Sequence, residues 1–147
     1  MAQDYYDILQ PFDYYYNLLD DNKATLGLRY IAQHEESLIP EYPAILLQTD
    51  HVTREQHATG LFRVEFHIDL WIFHAELTSG AATRSRKDVE LATEIRKLLH
   101  SKRTMDGHII FGFVDGEFPG VTARAGTTIV TTRLTWMGEN RVLYENS

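Results

Sequence analysis

The chain has 147 residues, no cysteine, 44% hydrophobic residues and a net charge of −7. That length suits one domain, and the lack of cysteine excludes disulfides, thiolate metal sites and a cysteine nucleophile. Residues 1–60 hold ten Asp or Glu against Lys23, Arg29 and Arg54, whereas residues 61–147 hold eleven of each sign. An acidic excess has the wrong sign for neutralising phosphates, so free-standing nucleic-acid binding is not expected.

The N-terminus, MAQDYYDI, has neither the basic nor the apolar region of a secretory signal, and no run approaches the ~18 apolar residues of a membrane span. Asp4 to Leu19 reads as helix in two pieces, restarting at Gln10 or Pro11, because proline suits a first turn and not a helix interior. Phe12, Tyr15, Tyr16 and Leu19 then form an i, i+3, i+4, i+7 stripe. DDNK at 20–23 ends it, and these first 22 residues form an N-terminal helical segment.

Leu26 to Gln33 is expected to be a strand, since Gly27 disfavours helix and Tyr30 and Ile31 favour extended chain. Pro40 and Pro43 frame a turn, Ala44 to Thr49 reads as a short buried strand, and residues 50–60 as a polar connection. Residues 61–74, LFRVEFHIDLWIFH, are the most informative stretch. Phe62, Val64, Phe66, Ile68, Leu70 and Ile72 fall on one side of an extended backbone, and Arg63, Glu65, His67 and Asp69 on the other. Such a strand is more than twice the usual length of about 5 or 6 residues. It either projects beyond its own core or is covered by another chain.

Residues 78–85 read as a loop, with Ser85 and Asp88 as a capping box. The helix that follows runs to about Ser101, with Leu91, Ala92, Ile95, Leu98 and Leu99 on its buried face. His108 to Val114 and Thr127 to Met137 are the closing strands. Residues 115–126, DGEFPGVTARAG, lie between them as a flexible glycine-rich hairpin, too long for a tight turn. Trp71, Phe73 and Trp136 are expected to cluster at one end of the sheet. The fold class is therefore α+β: a mainly antiparallel sheet of about four to five strands, one of them very long, one amphipathic helix packed on it, and an N-terminal helix, all in a single domain over 1–147.

No catalytic motif is present. Glu65, His67 and Asp69 share a strand face, and His-x-Asp with His51, His57 or His74 nearby could bind zinc. The spacing matches no known ligand motif, and a wet strand face explains the trio equally well. The serines sit in no nucleophile elbow, and Gly112, Gly116 and Gly120 do not open a helix as phosphate loops require. No catalytic, metal or cofactor site is expected. Tyr5, Tyr6, Tyr14, Tyr15 and Tyr16 are more than one helix face buries, and tyrosine is favoured at interfaces. Ordering the 115–126 hairpin costs ~1 to 2 kcal/mol per residue. Only Asp115, Glu117, Phe118, Val121 and Arg124 can offset that cost, against a neighbour. These five, with Tyr14 and Tyr15, are the expected interface residues.

The element order, with IPEYPAILL at 39–47 ahead of the long strand, resembles tail-terminator and tail-completion (neck) proteins of long-tailed bacteriophages. Tyr42-Pro43-Ala44 is the sharpest piece of that resemblance, which otherwise spans the chain through pattern and size. It implies a non-enzymatic virion protein, assembled in the host cytoplasm, that forms a homo-oligomeric ring, usually a hexamer, on the head-proximal end of the tail. Such a ring ends tail-tube polymerisation and offers a docking face for head-to-tail joining. The implied partners are the tail tube protein and the head-closure or connector protein, with DNA passing through without specific binding and no membrane involved. A head-closure or connector protein of the phage neck is the nearest rival, and a small metal-binding α/β enzyme using Glu65, His67 and Asp69 is the rival from another class.

Overall fold

The computed structural model describes residues 5–33, 39–58, 60–74, 81–124 and 127–143, with the side chains of 57, 58, 81–85, 122–124, 127, 128 and 143 outside the described residues. The elements run α1 (Leu9–Asp21), α2 (Lys23–Leu26), β1 (Tyr30–Gln33), β2 (Ala44–Ala58), β3 (Leu61–His74), α3 (Ala81–His100), β4 (Phe111–Arg124) and β5 (Thr127–Leu143). The five strands form one sheet in the order β1-β2-β3-β5-β4. β1 runs parallel to β2, and every other neighbouring pair is antiparallel. The fold is α+β, as the sequence predicts.

β3 has the expected bounds, and Val64, Phe66, Ile68, Leu70 and Ile72 are fully buried along its dry face. α1 and α3 cover that face. α1 contributes Phe12, Tyr15 and Leu19, and α3 contributes Leu91, Ala92, Ile95 and Leu99, with Leu98 packed at the margin. Pro11 lies within the first turn of a continuous α1, so the helix is one piece and begins only at Leu9. Tyr5 instead donates its backbone N–H to His108 O and stacks on the His108 ring.

Four expectations need correction. Leu26 closes the short α2, with Gly27 in the left-handed region at φ 74°, so the strand expected over 26–33 begins at Tyr30. The polar stretch 50–58 is the second half of β2, paired residue by residue with the outer half of β3 across two irregularities, at Thr49/His51 and Gln56/Ala58. Long-range pairing outweighs its polar composition there. α3 begins at Ala81, not after Ser85, because Ala81 and Ala82 are strong helix formers. Asp88 therefore lies inside the helix and caps nothing. Finally, Phe111–Arg124 is a 14-residue strand, so the hairpin expected over 115–126 is present but is a paired ladder with β5 as far as Arg124 and not a connection between two shorter strands. Residues 125 and 126 lie outside the described residues, and His108–Ile110 precede the strand. Gly116, Pro119 and Gly120 are tolerated there because β4 is an edge strand.

The expected aromatic cluster also separates. Trp71 and Phe73 belong to a small core on the open side of the sheet with Ala32, Ile39, Ala44, Leu46 and Ile129, whereas Trp136 is in the main core under the helices. The pairing partners Gly112 and Gly138 leave room for its indole. A Cβ on either would meet a Trp136 carbon at 2.3 Å. Tyr15 meets the other side of the indole edge-on, with ring centroids 5.0 Å apart.

Candidate functional site

Neither α1 nor α3 covers the far face of the sheet, and strand alternation dictates what stands there. From β3 come Arg63, Glu65, His67, Asp69 and Trp71, aligned with Arg141, Glu139, Met137, Thr135 and Arg133 of β5. β2 adds Glu55, Thr53, His51 and Gln48, and β4 adds Phe111, Phe113 and Phe118. The face divides into a charged end and an aromatic end.

At the charged end, Arg63 is the hub. It donates through Nε to Glu139, and its other nitrogens lie 3.1 Å from Glu65 Oε2 and 3.8 Å from Glu55 Oε2. The Glu139 hydrogen bond, with Glu139, Glu65 and Glu55 as charges, strengthens its hold on the proton. Glu65 also accepts from His67 Nε2 at 2.7 Å, and the His67 ring stacks on His51 with centroids 4.1 Å apart. Burial raises the Asp69 carboxyl above its ordinary value, and the Asp50 charge adds to this while Arg133 opposes it. Among the described residues, no group of three or more His, Asp or Glu is arranged to hold a metal ion. Glu65 and His67 bond to each other instead of converging on a common point.

At the aromatic end, the Arg133 guanidinium lies between two rings, 4.7 Å from the Phe118 centroid and 5.5 Å from that of Trp71. Stacking of this kind contributes roughly 0.5–1 kcal/mol per contact at an exposed site. Phe118 remains 51% exposed and Val121 64%, the two largest exposures among the described large apolar side chains on the sheet.

The expected interface residues are divided between surface and interior. Asp115 accepts from Thr135 Oγ1 at 2.6 Å, and Glu117 lies 3.0 Å from Arg96 Nε of α3. The backbone of Arg124 pairs with Thr127, and its side chain lies outside the described residues. Tyr14 is half-buried and donates to Asp106 Oδ2 at 3.0 Å, and burial together with that bond pushes its hydroxyl up to about 12. Tyr15 is a correction: it is wholly buried against Trp136, so it is a core residue and offers no surface to a partner.

Sequence reasoning missed one polar cluster altogether. Asp88 is completely buried and accepts from His74 Nδ1 at 2.6 Å and from Thr132 Oγ1 at 2.6 Å. It ties α3 to β3 and β5 at the end of the sheet. The carboxylate stands between the other two, so among the described residues the Thr132 hydroxyl is bonded to the acid and not to the imidazole, unlike a nucleophile relay. Its partners lie 14 and 44 residues away in sequence, where no spacing rule reaches. No described helix is long and apolar enough to cross a membrane. Neither a known family model nor a curated protein matches the chain.

Proposed function

We propose that this chain is a structural subunit of a phage neck, forming a ring of six copies on the head-proximal end of a tail. The ring ends tube polymerisation and offers the docking face for the head. The observation that carries the reading is the unequal dressing of the sheet. Four strands of 14 to 17 residues are covered by helices on one face only, and an apolar pair, Phe118 and Val121, stands bare on the β4–β5 hairpin. These strands are more than twice the usual length of about 5 or 6 residues, and large apolar side chains left bare on both faces of one edge strand suit a contact surface. The excess of negative charge in residues 1–60 suits a wall past which DNA slides without sticking. Among the described residues, the charged end of the open face brings together no nucleophile, base and acceptor for a developing charge, which favours a structural role over the enzymatic rival.

The test is genetic and morphological. In the phage that encodes the chain, a stop codon at Lys23 should yield tails of uncontrolled length and heads without tails. Tails of normal length joined to heads would overturn the reading.

A further inference from the structure

Among the described residues the sheet has two edges with no strand beside them, and they lie on opposite sides of it. β1 pairs only with Ala44–Leu47, so from Gln48 onward the outer edge of β2 has no strand beside it among the described residues. Between its two irregularities the stretch His51–Gln56 is regular. On the other side β4 is the last strand. The Val114 N–H is taken by His100 Nε2 at 3.0 Å, and Pro119 has no N–H, so among the described residues the open portion of that edge is Gly116–Arg124 with one donor missing.

We propose that rings of this chain close by strand addition, the β4 edge of one copy pairing with the Gln48–Ala58 stretch of β2 in the next, so that the sheet continues from subunit to subunit. This rests on the ring reading above and adds which surfaces meet. Three observations carry it. Phe118 and Val121 project from β4 to opposite faces: Phe118 stacks on Arg133 of the open face, while Val121 has the parity of Glu117, which meets α3. A partner docked on either face covers one of them. A strand added at the edge brings side chains beside both. Next, β2, β3, β5 and β4 alternate in direction, so β4 runs opposite to β2 and a neighbour's β2 continues the antiparallel order. Last, the two edges are different surfaces, so the contact is heterologous and closes as a ring or runs on as a filament. The missing Pro119 donor weakens chance pairing at this edge, as natural edge strands commonly do, and leaves affinity to the flanking apolar contacts.

The chain has no cysteine, so introduced thiols are unique. Thr53 and Gly120 both stand on the open face, one on each edge, and a side chain built at 120 meets nothing within 4 Å. The full-length double variant Thr53→Cys, Gly120→Cys, which keeps Phe118 and Val121, treated with a short bis-maleimide, should give a ladder of linked species ending at the mass of the ring. Each single variant should give none, and native mass spectrometry of the unmodified chain should report the same ring. A ring by mass with no ladder overturns edge pairing and leaves the ring reading standing. Dimers from Thr53→Cys alone mean a two-fold β2 to β2 contact, which overturns this inference. A chain that is monomeric at every concentration, and unlinked in assembled tails, removes both.

Discussion

Single residues carry unusual constraint at the glycines beneath Trp136 and at His100. Gly112 and Gly138 are demanded by the indole that crosses them, and nothing on a flexible chain end can give way, since the ring is held on its far side by Tyr15. Gly138→Ala should lower stability by about 1–3 kcal/mol through overpacking, read as a lower denaturation midpoint. His100 accepts the Val114 N–H, so its Nε2 must be unprotonated. Burial holds its pKa below the ordinary histidine value, and Arg103 and Arg96 add to the effect while Glu117 opposes it. The unfolded chain takes up this proton near pH 6.5 and the folded chain only at lower pH. Stability from this group is therefore present above about pH 6.5 and falls as pH drops from there toward the folded pKa. His100→Gln keeps an acceptor that does not titrate. The melting temperature of the wild-type chain should fall more steeply than that of the variant between pH 7.5 and pH 5.5, and parallel curves would disprove the role.

Among elements, α3 shows how far the sequence could be read and where it stopped. Its apolar stripe, Leu91, Ala92, Ile95 and Leu99, was legible from 3.6-residue spacing, as was the alternation that defines β3, because both depend on neighbours in sequence. Its start was not, because Ser85 offered a local cap while the helix was extended backward by Ala81 and Ala82. Asp88 shows the same limit: a surface-looking acid in a capping pattern turns out to be buried between partners from two strands. The distal half of β2 and the β4 arm were read as polar or glycine-rich connections, since their order comes from the ladders with β3 and β5. Of the candidate interface, the exposed Phe118 and Val121 were legible, but the Arg133 stack between Trp71 and Phe118 joins three strands and leaves no local trace. Asp88→Ala should cost about 3–5 kcal/mol, because it leaves His74 and Thr132 buried without their shared acceptor. Equilibrium denaturation would measure this, and a loss below 1 kcal/mol would mean that the cluster is not what fastens α3.

For the whole molecule, the balance between folding and assembly should be separable by substitution. Phe118 and Val121 contribute little to the monomer core, being among its most exposed apolar residues. Phe118→Asp with Val121→Asp should shift monomer stability by only about 0.5 kcal/mol per site while abolishing the oligomer, as followed by sedimentation velocity. Loss of the fold along with the oligomer would show that the hairpin arm is needed by the subunit itself.

The chain holds just two tryptophans, and the sheet puts them on opposite faces: Trp136 sealed beneath the helices, Trp71 half-buried beside Arg133 on the open side. Each is thus an intrinsic optical reporter of a different event. Emission from Trp136 should stay blue and shielded from iodide until the subunit unfolds. Emission from Trp71 should be quenched by iodide in dilute protein and become protected with rising concentration as Phe118, its neighbour across Arg133, is covered. A Trp71→Phe variant leaves only the first signal and a Trp136→Phe variant only the second, so one spectrometer can time folding and association independently on an unlabelled chain.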